Sequence, residues 1–283
     1  MDIWTINKIA DRLEQMDIAI DREAMSLARW IWKDILDLPS RDEVILDQSG
    51  LERLEATFER LLEGEPVQYI AGHAWFYGVQ FDVNKDVLIP RPETEELVEW
   101  VLADCRKEKR PGLRILDIGT GSGCIAIILK KYLGDLAEIL ALDVSDKALH
   151  VAVRNSKRAG ADVKFLKWDF LAQGLKDLGK FDIIVSNPPY VSREIAGQEI
   201  VHRLKYEPDL ALYPDGPDPD IFYKQISAVG EDALHRQGAC YLELNEFRAQ
   251  EIEGYFASRK WTNVEVRIDM QGMPRMLKAM RNN

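Results

Sequence analysis

The stretch from Arg114 to the C-terminus constrains the fold of this 283-residue chain most. Apolar runs at Ile115–Ile118, Ile139–Leu142, Val163–Leu166, Ile183–Val185 and Cys240–Leu244 are short enough for buried strands, and segments of helical length, 123–133, 146–159 and 221–235, separate them. A strand apolar along its whole length is buried on both faces, and strands linked through helices run parallel. The pattern predicts an α/β fold with a doubly wound, mostly parallel sheet. Val264–Ile268 and Met276–Met280 lie too close together for a crossover helix, so the last of the seven strands is expected to be antiparallel.

The residues ahead of this region have another period. Ile6, Ile9, Ala10, Leu13 and Met16 recur at three- and four-residue steps, as do Ala24, Ala28, Ile31 and Ile35, and then Leu51, Leu54, Phe58 and Leu61. These stripes predict a small helical bundle ended by Gly64 and Pro66. Ser40 with Glu43 reads as a capping box for a short helix between the last two stripes. Trp30 and Trp32, two apart, cannot share a helix face, so one is expected to be partly exposed. Alternation at Val79, Phe81 and Val83, with Gly78 and the Asn84-Lys85-Asp86 break, predicts a β-hairpin; Pro90-Arg91-Pro92 ends the strand-like run Val87–Ile89. Glu93, Glu95 and Glu96 then load the first turn of a helix reaching about Cys105. The expected organisation is a helical domain over 1–74, a hairpin linker over 75–92 and an α/β domain over 93–283.

Charge is unevenly spread. The chain carries 48 acidic and 37 basic side chains, but residues 1–75 hold 16 acidic and 8 basic ones, so most of the net charge of −11 lies in the first quarter. Phosphate backbones repel such a module, which disfavours direct nucleic-acid binding and favours a protein partner with a basic surface. Cys105, Cys124 and Cys240 are odd in number and widely spaced, which fits a reducing compartment. The absence of a long apolar run or a signal-like N-terminus leads us to expect a cytoplasmic monomer without membrane contact. His73, His150, His202 and His235 are scattered, so no metal site is expected.

Asp117-Ile118-Gly119-Thr120-Gly121-Ser122-Gly123 follows a predicted strand and opens a predicted helix. Its glycines let the backbone turn sharply and approach a ligand without an intervening Cβ, with the N–H groups of the helix start facing the ligand. Asp143 ends the next strand, where an acid can accept both ribose hydroxyls of a nucleoside. A nicotinamide dinucleotide and S-adenosylmethionine both satisfy these features. The third glycine comes one residue early for a pyrophosphate loop, and Asp117 suits an ammonium group better than a phosphate, so the sulfonium cofactor is favoured. Trp168-Asp169-Phe170 follows the third strand, placing Phe170 to pack on the adenine and Asp169 to meet its amino group.

Phe181–Ser186 ends in Asn187-Pro188-Pro189-Tyr190, at the carboxyl edge where open α/β sheets bind ligands. The two prolines lack N–H groups and stiffen the loop, leaving the Asn187 side chain and the Pro188 carbonyl as acceptors for a planar NH₂ group; Tyr190 offers a flat face to stack on it. An amide or aromatic-amine nitrogen is a poor nucleophile because its lone pair is delocalised. Two fixed acceptors hold it in line and favour the positive charge that grows on it, so no strong base is needed.

Asp117–Gly123 together with Asn187–Tyr190 resembles the class I S-adenosylmethionine-dependent methyltransferases that act on exocyclic or amide NH₂ groups. Within these, Pro66–Gly72, Phe76–Phe81 and Val87–Glu95 are similar to the release factor glutamine methyltransferases, the PrmC/HemK family. The resemblance runs end to end. It implies S-adenosylmethionine as cofactor and N5-methylation of the glutamine in the Gly-Gly-Gln motif of peptide chain release factors, with the helical domain recognising the substrate. It also implies that Gly119, Thr120, Gly121, Ser122, Gly123, Asp143, Phe170 and Asn187 contact the cofactor. Asn187, Pro188, Pro189 and Tyr190 would hold the glutamine, with Asn187, Pro188 and Tyr190 catalytic, and Arg91 and Glu93 would order the nearby loop or cap its helix. Two stretches depart from the pattern, Leu242-Glu243-Leu244-Asn245 and the proline-rich 214–220. The other reading is an N6-adenine or N2-guanine methyltransferase on DNA or RNA, whose NH₂ groups Asn-Pro-Pro-Tyr would accept equally well.

Overall fold

The computed structural model describes residues 3–39, 43–108, 110–191, 204–214, 216–257 and 261–282. The chain divides into two compact units, one of Met1–Ala74 with His202–Tyr206, the other of Trp75–Val201 with Glu207–Asn283.

In the first unit the apolar stripes become α1 (Ile6–Gln15), α2 (Asp21–Trp30) and α3 (Gln48–Leu62), followed by the short α4 (Val67–Ala71). Thr5 caps α1 by accepting the Lys8 N–H at 3.0 Å, and Asp47 caps α3 through Gly50 N at 2.7 Å. Ile9, Leu13, Ala24, Ala28, Leu54 and Phe58 form the core. Beyond α2 the chain widens into a π-helical turn, Ile31–Ile35. Trp32 is buried there, its indole N–H donating to the Pro39 carbonyl at 2.9 Å, while Trp30 stays half-buried against His73. Among the described residues between α2 and α3 the expected short helix is not found. Val44–Ile45 (β2) pairs antiparallel with Ile3–Trp4 (β1), because those two residues have a neighbouring strand to join; Ser40 lies outside the described residues.

At the start of the second unit, β3 (His73–Phe76), whose first two residues belong to the first unit, and β4 (Val79–Asp82) make the hairpin. Tyr77 (φ 51°) and Gly78 (φ 72°) form the turn, the backbone signature of a tight two-residue connection. The Asn84–Asp86 break is therefore not a hairpin turn, and Val87–Ile89 carry no strand. Val87 and Ile89 are nonetheless buried.

The sheet contains β5 (Leu113–Ile118), β6 (Ala137–Asp143), β7 (Lys164–Lys167), β8 (Phe181–Ser186), β9 (Leu234–Glu243), β10 (Trp261–Ile268) and β11 (Pro274–Arg281), in the order β10-β11-β9-β8-β5-β6-β7. β7 through β9 are mutually parallel in space, and β11 slots between β9 and β10, antiparallel to both. The helices are α5 (Pro92–Glu108), α6 (Cys124–Leu133), α7 (Asp146–Ala159), α8 (Phe170–Gln173), α9 (Asp209–Leu212), α10 (Ile221–Ala233) and α11 (Ala249–Ala257). Period-two alternation divides the strand side chains between two layers. Ile115, Ile139, Ile183 and Val185 pack with α5 and α6; Leu116, Ile118, Leu142 and Ile184 pack with Tyr223 and Ile226 of α10 and with Ile252 and Phe256 of α11. The strand order reverses at β5, so the carboxyl ends of β5, β6 and β8 open onto one crevice.

Candidate functional site

The crevice is a cleft lined by Val87, Gly119, Gly121, Asp143, Ser145, Trp168, Asp169, Phe170, Asn187, Pro189, Tyr213 and Phe222, among others. Gly119 (φ 74°) and Gly121 (φ 54°) turn in the left-handed region, and a Cβ at either would meet nothing within 4 Å. The empty space beside them is the cleft. Gly123 (φ 83°) serves another purpose. A Cβ there would lie 2.9 Å from Ile127 Cδ1 and 3.1 Å from Ala152 Cβ, so its missing side chain lets α6 pack on α7.

Four N–H groups of this loop are already used. Gly119 N and Thr120 N donate to the Leu142 carbonyl at 2.9 and 2.8 Å, Gly123 N to the Thr120 carbonyl at 2.8 Å, and Gly121 N to Asp143 Oδ2 at 2.9 Å. These four N–H groups, ahead of the helix start at Cys124, are not free to form a pyrophosphate cradle. Asp143 Oδ1 accepts the Ser145 N–H at 2.9 Å, and the Ser145 hydroxyl caps α7. Burial raises the Asp143 carboxyl above its ordinary range, against the pull of those N–H donors.

Asp117 is fully buried and does not line the cleft. Its Oδ2 accepts the Thr120 hydroxyl at 2.7 Å while Oδ1 has no hydrogen-bond partner, and burial pushes its pKa up to about 7. In this structure it braces the loop, and the expected meeting with an ammonium group has no exposed surface to occur on. Thr120 and Ser122 are likewise buried and off the cleft. The Ser122 carbonyl accepts Asn155 Nδ2 at 2.9 Å.

Asn187 and Pro189 line the cleft, Pro188 is buried behind them, and Tyr190 packs against the layer that contains Phe170. Asn187 Nδ2 donates to Thr94 Oγ1 at 3.1 Å, and that hydroxyl donates to Glu243 Oε2 at 2.6 Å. The Tyr190 hydroxyl donates to the other oxygen, Oε1, at 3.2 Å. Glu243 is 1% exposed, and burial raises its carboxyl above the ordinary range; burial beside this carboxylate also holds the Tyr190 hydroxyl protonated. Asn245 Nδ2 donates to the Tyr190 carbonyl at 3.2 Å, so the departing stretch 242–245 fastens the Asn-Pro-Pro-Tyr loop.

Thr94 and Glu243 were not among the expected site residues. Of the pair expected to order the loop or cap the helix, Glu93 stands in the first turn of α5 and accepts Gln271 Nε2 at 2.7 Å, while the Arg91 carbonyl accepts the Thr94 N–H at 3.1 Å and its side chain forms an ion pair with buried Glu207. The run Pro90–Glu95 was a signal for this region, but no spacing could show that Thr94 is the member reaching Asn187. Asp169 lines the cleft while its Oδ1 caps α8 through Ala172 N at 3.1 Å. In the second departing stretch Asp220 is buried and paired with Arg248; Asp215 lies outside the described residues.

The cleft fits S-adenosylmethionine. Each Asp143 oxygen holds one backbone N–H and keeps lone-pair capacity for a ribose hydroxyl. Phe170 and Phe222, stacked at 6.3 Å with planes 22° apart, give a flat apolar wall for adenine, and Gly119 and Gly121 leave room beside them.

Two family models match the chain, the PrmC N-terminal domain over residues 5–72 and the Methyltransferase small domain over 99–217. The release factor glutamine methyltransferase of Flavobacterium psychrophilum is 42% identical over 248 residues, 86% of this chain and 85% of that one. The protein of the same name from Bacteroides thetaiotaomicron is 38% identical over 284 residues, 98% of this chain and 100% of that one. A crystal structure of a methyltransferase from Pyrococcus furiosus, 19% identical, superposes with a TM-score of 0.53 over 74% of this chain and 91% of its own, a likeness of fold. Identity of this extent over nearly the whole length places the chain in the release factor glutamine methyltransferase family.

Proposed function

We propose that the protein methylates the N5 nitrogen of the glutamine side chain in the Gly-Gly-Gln motif of peptide chain release factors. The observation that supports this most is the Asn187 amide, tied by Nδ2 to Thr94 at the rim of a nucleoside-shaped cleft. S-adenosylmethionine, the cofactor of this methyltransferase, supplies an electron-poor methyl group when bound. Asn187 Oδ1 and the Pro188 carbonyl accept the two hydrogens of the substrate NH₂ and hold its nitrogen in line with that methyl. The same two acceptors favour the positive charge that grows on the nitrogen, which afterwards releases its proton readily. Tyr190, fixed through its hydroxyl and its carbonyl, stacks on the planar amide and keeps water from it. Gly119, Gly121, Asp143 and Phe170 hold the cofactor, while Thr120, Ser122 and Gly123 act by shaping the loop.

We assign substrate recognition to the helical residues 1–74, the linker role to 75–92 and the chemistry to 93–283. The acidic character of the helical part suits a release factor, which must approach ribosomal RNA and so needs basic surface.

The test is to incubate the protein with methyl-labelled S-adenosylmethionine and either a release factor or bulk nucleic acid, then locate the label by mass spectrometry. Label is expected on the Gly-Gly-Gln glutamine. Label on a base, with the glutamine unmodified, overturns the proposal in favour of a nucleic-acid methyltransferase.

A further inference from the structure

An asparagine amide is nearly symmetric in shape, and a half-turn about its last torsion exchanges an acceptor oxygen for a donor nitrogen. Only the oxygen can receive a hydrogen from a substrate NH₂. With Nδ2 turned outward the site would set donor against donor. Something must therefore choose between the two orientations, and the prolines cannot, since they restrain the backbone and not the Asn187 side chain.

Three side chains behind the cleft make that choice. Buried Glu243, as a carboxylate, is acceptor-only. It takes the single hydroxyl hydrogen of Thr94 on Oε2 at 2.6 Å and that of Tyr190 on Oε1 at 3.2 Å. Thr94, 2% exposed, has then spent its only hydrogen and can act toward Asn187 solely as an acceptor. The contact at 3.1 Å must come from Nδ2, because an oxygen there would face lone pairs. Oδ1 is thereby left on the opposite arm of the amide plane, where no described residue donates to it.

We propose that Thr94, polarised by Glu243, is a positioning residue that sets the direction of the Asn187 amide and so makes the site an acceptor for NH₂ substrates. The same carboxylate locks the Tyr190 ring, coupling the acceptor and the stacking face through one buried group. This inference rests on the reading of Asn187 as the substrate's acceptor.

The experiment compares Thr94→Val, Thr94→Ser and Asn187→Ala in methylation of a full-length release factor. Thr94→Val should lower kcat about 10- to 100-fold, the range for a misplaced reacting group, while cofactor Kd and substrate KM stay within about twofold. Thr94→Ser, which keeps the hydroxyl, should restore most of that loss. An inactive Asn187→Ala beside a Thr94→Val of full kcat overturns the positioning role and leaves the reading of Asn187 standing. A fully active Asn187→Ala overturns that reading and this inference together. A Thr94→Ser as impaired as Thr94→Val shows that packing matters and not the hydroxyl, which also overturns it. Should Thr94→Val fail to fold, Thr94→Ala replaces it, read by the Asn187 side-chain amide resonances. Slowly exchanging Nδ2 hydrogens in the parent that become fast in the variant support the proposal, and equal exchange overturns it.

Discussion

Asp143 Oδ2 accepts the backbone N–H of Gly121 at 2.9 Å, so the acid at the end of β6 also fixes the loop after β5. An amide at position 143 would turn a donor toward either the Gly121 or the Ser145 N–H. We expect Asp143→Asn to weaken S-adenosylmethionine binding at least tenfold by calorimetry, through lost ribose acceptance and a displaced loop together. Parent-like affinity would remove Asp143 from the cofactor site.

The loop glycines should separate in their effects. Gly119→Ala and Gly123→Ala both place a Cβ at positive φ, a strain of roughly 1–2 kcal/mol. Only at Gly123 does that Cβ also strike neighbours, at 2.9 and 3.1 Å. Gly123→Ala should therefore lose about 1–3 kcal/mol more than Gly119→Ala in urea unfolding, the usual range for overpacking. Gly119→Ala should instead lose cofactor affinity, because its Cβ enters the cleft. Equal stability of the two variants contradicts the packing role of Gly123.

Asn155, 1% exposed, accepts the Asp82 N–H at 2.7 Å and donates to the carbonyls of Asp82 and Ser122 at 3.1 and 2.9 Å. It joins the hairpin to the glycine loop. Asn155→Ala strands three backbone groups, and we expect a loss of about 2–4 kcal/mol with a faster-exchanging Asp82 amide by hydrogen exchange. A loss under about 1 kcal/mol would mean that water replaces these bonds.

Asp117 gives a pH dependence of known sign. Its folded pKa is raised to about 7 by burial, above the ordinary carboxylate value near ~4. Between those values the folded chain holds a proton that the unfolded chain has lost, so stability from this group falls as pH rises through that window and levels off above it. Asp117→Asn cannot ionise, so its stability relative to the parent should rise between pH 5 and pH 8. A difference independent of pH contradicts the shift.

The acidic surplus of residues 1–75 yields a prediction on affinity. Binding of a release factor should weaken as salt is raised from 50 to 300 mM, as screening predicts. Salt-independent binding would leave the charge as a matter of solubility.

The elements visible without coordinates were those carried by a strong period. The runs Ile115–Ile118 and Ile139–Leu142 became β5 and β6 with one or two residues added at the ends, because a strand buried on both faces is mostly apolar along its length, and the one carboxylate in these runs, Asp117, is buried with the Thr120 hydroxyl as donor. The antiparallel last strand followed from linker length alone. The hairpin was visible in the alternation around Gly78, but its strand-like continuation Val87–Ile89 forms no strand, and Tyr77, which takes a positive φ beside Gly78, carries no sequence signal for it. The capping-box signal of Ser40 with Glu43 gave no hint of the strand Val44–Ile45, because a two-residue strand exists only by virtue of its distant partner, Ile3–Trp4.

The site divides along the same line. The cleft-lining residues Gly119, Gly121, Asp143 and Asn187 stand at strand ends, and local sequence specifies strand ends. What lies behind them is not local. Thr94 and Glu243 meet across 149 positions, on a helix and a strand with no shared pattern. The sequence was enough to put the Asn187 amide at the carboxyl edge of a parallel sheet. Which end of that amide is engaged behind the cleft depends on a hydroxyl hydrogen committed between two distant buried side chains, Thr94 and Glu243, and only the packed tertiary structure decides that.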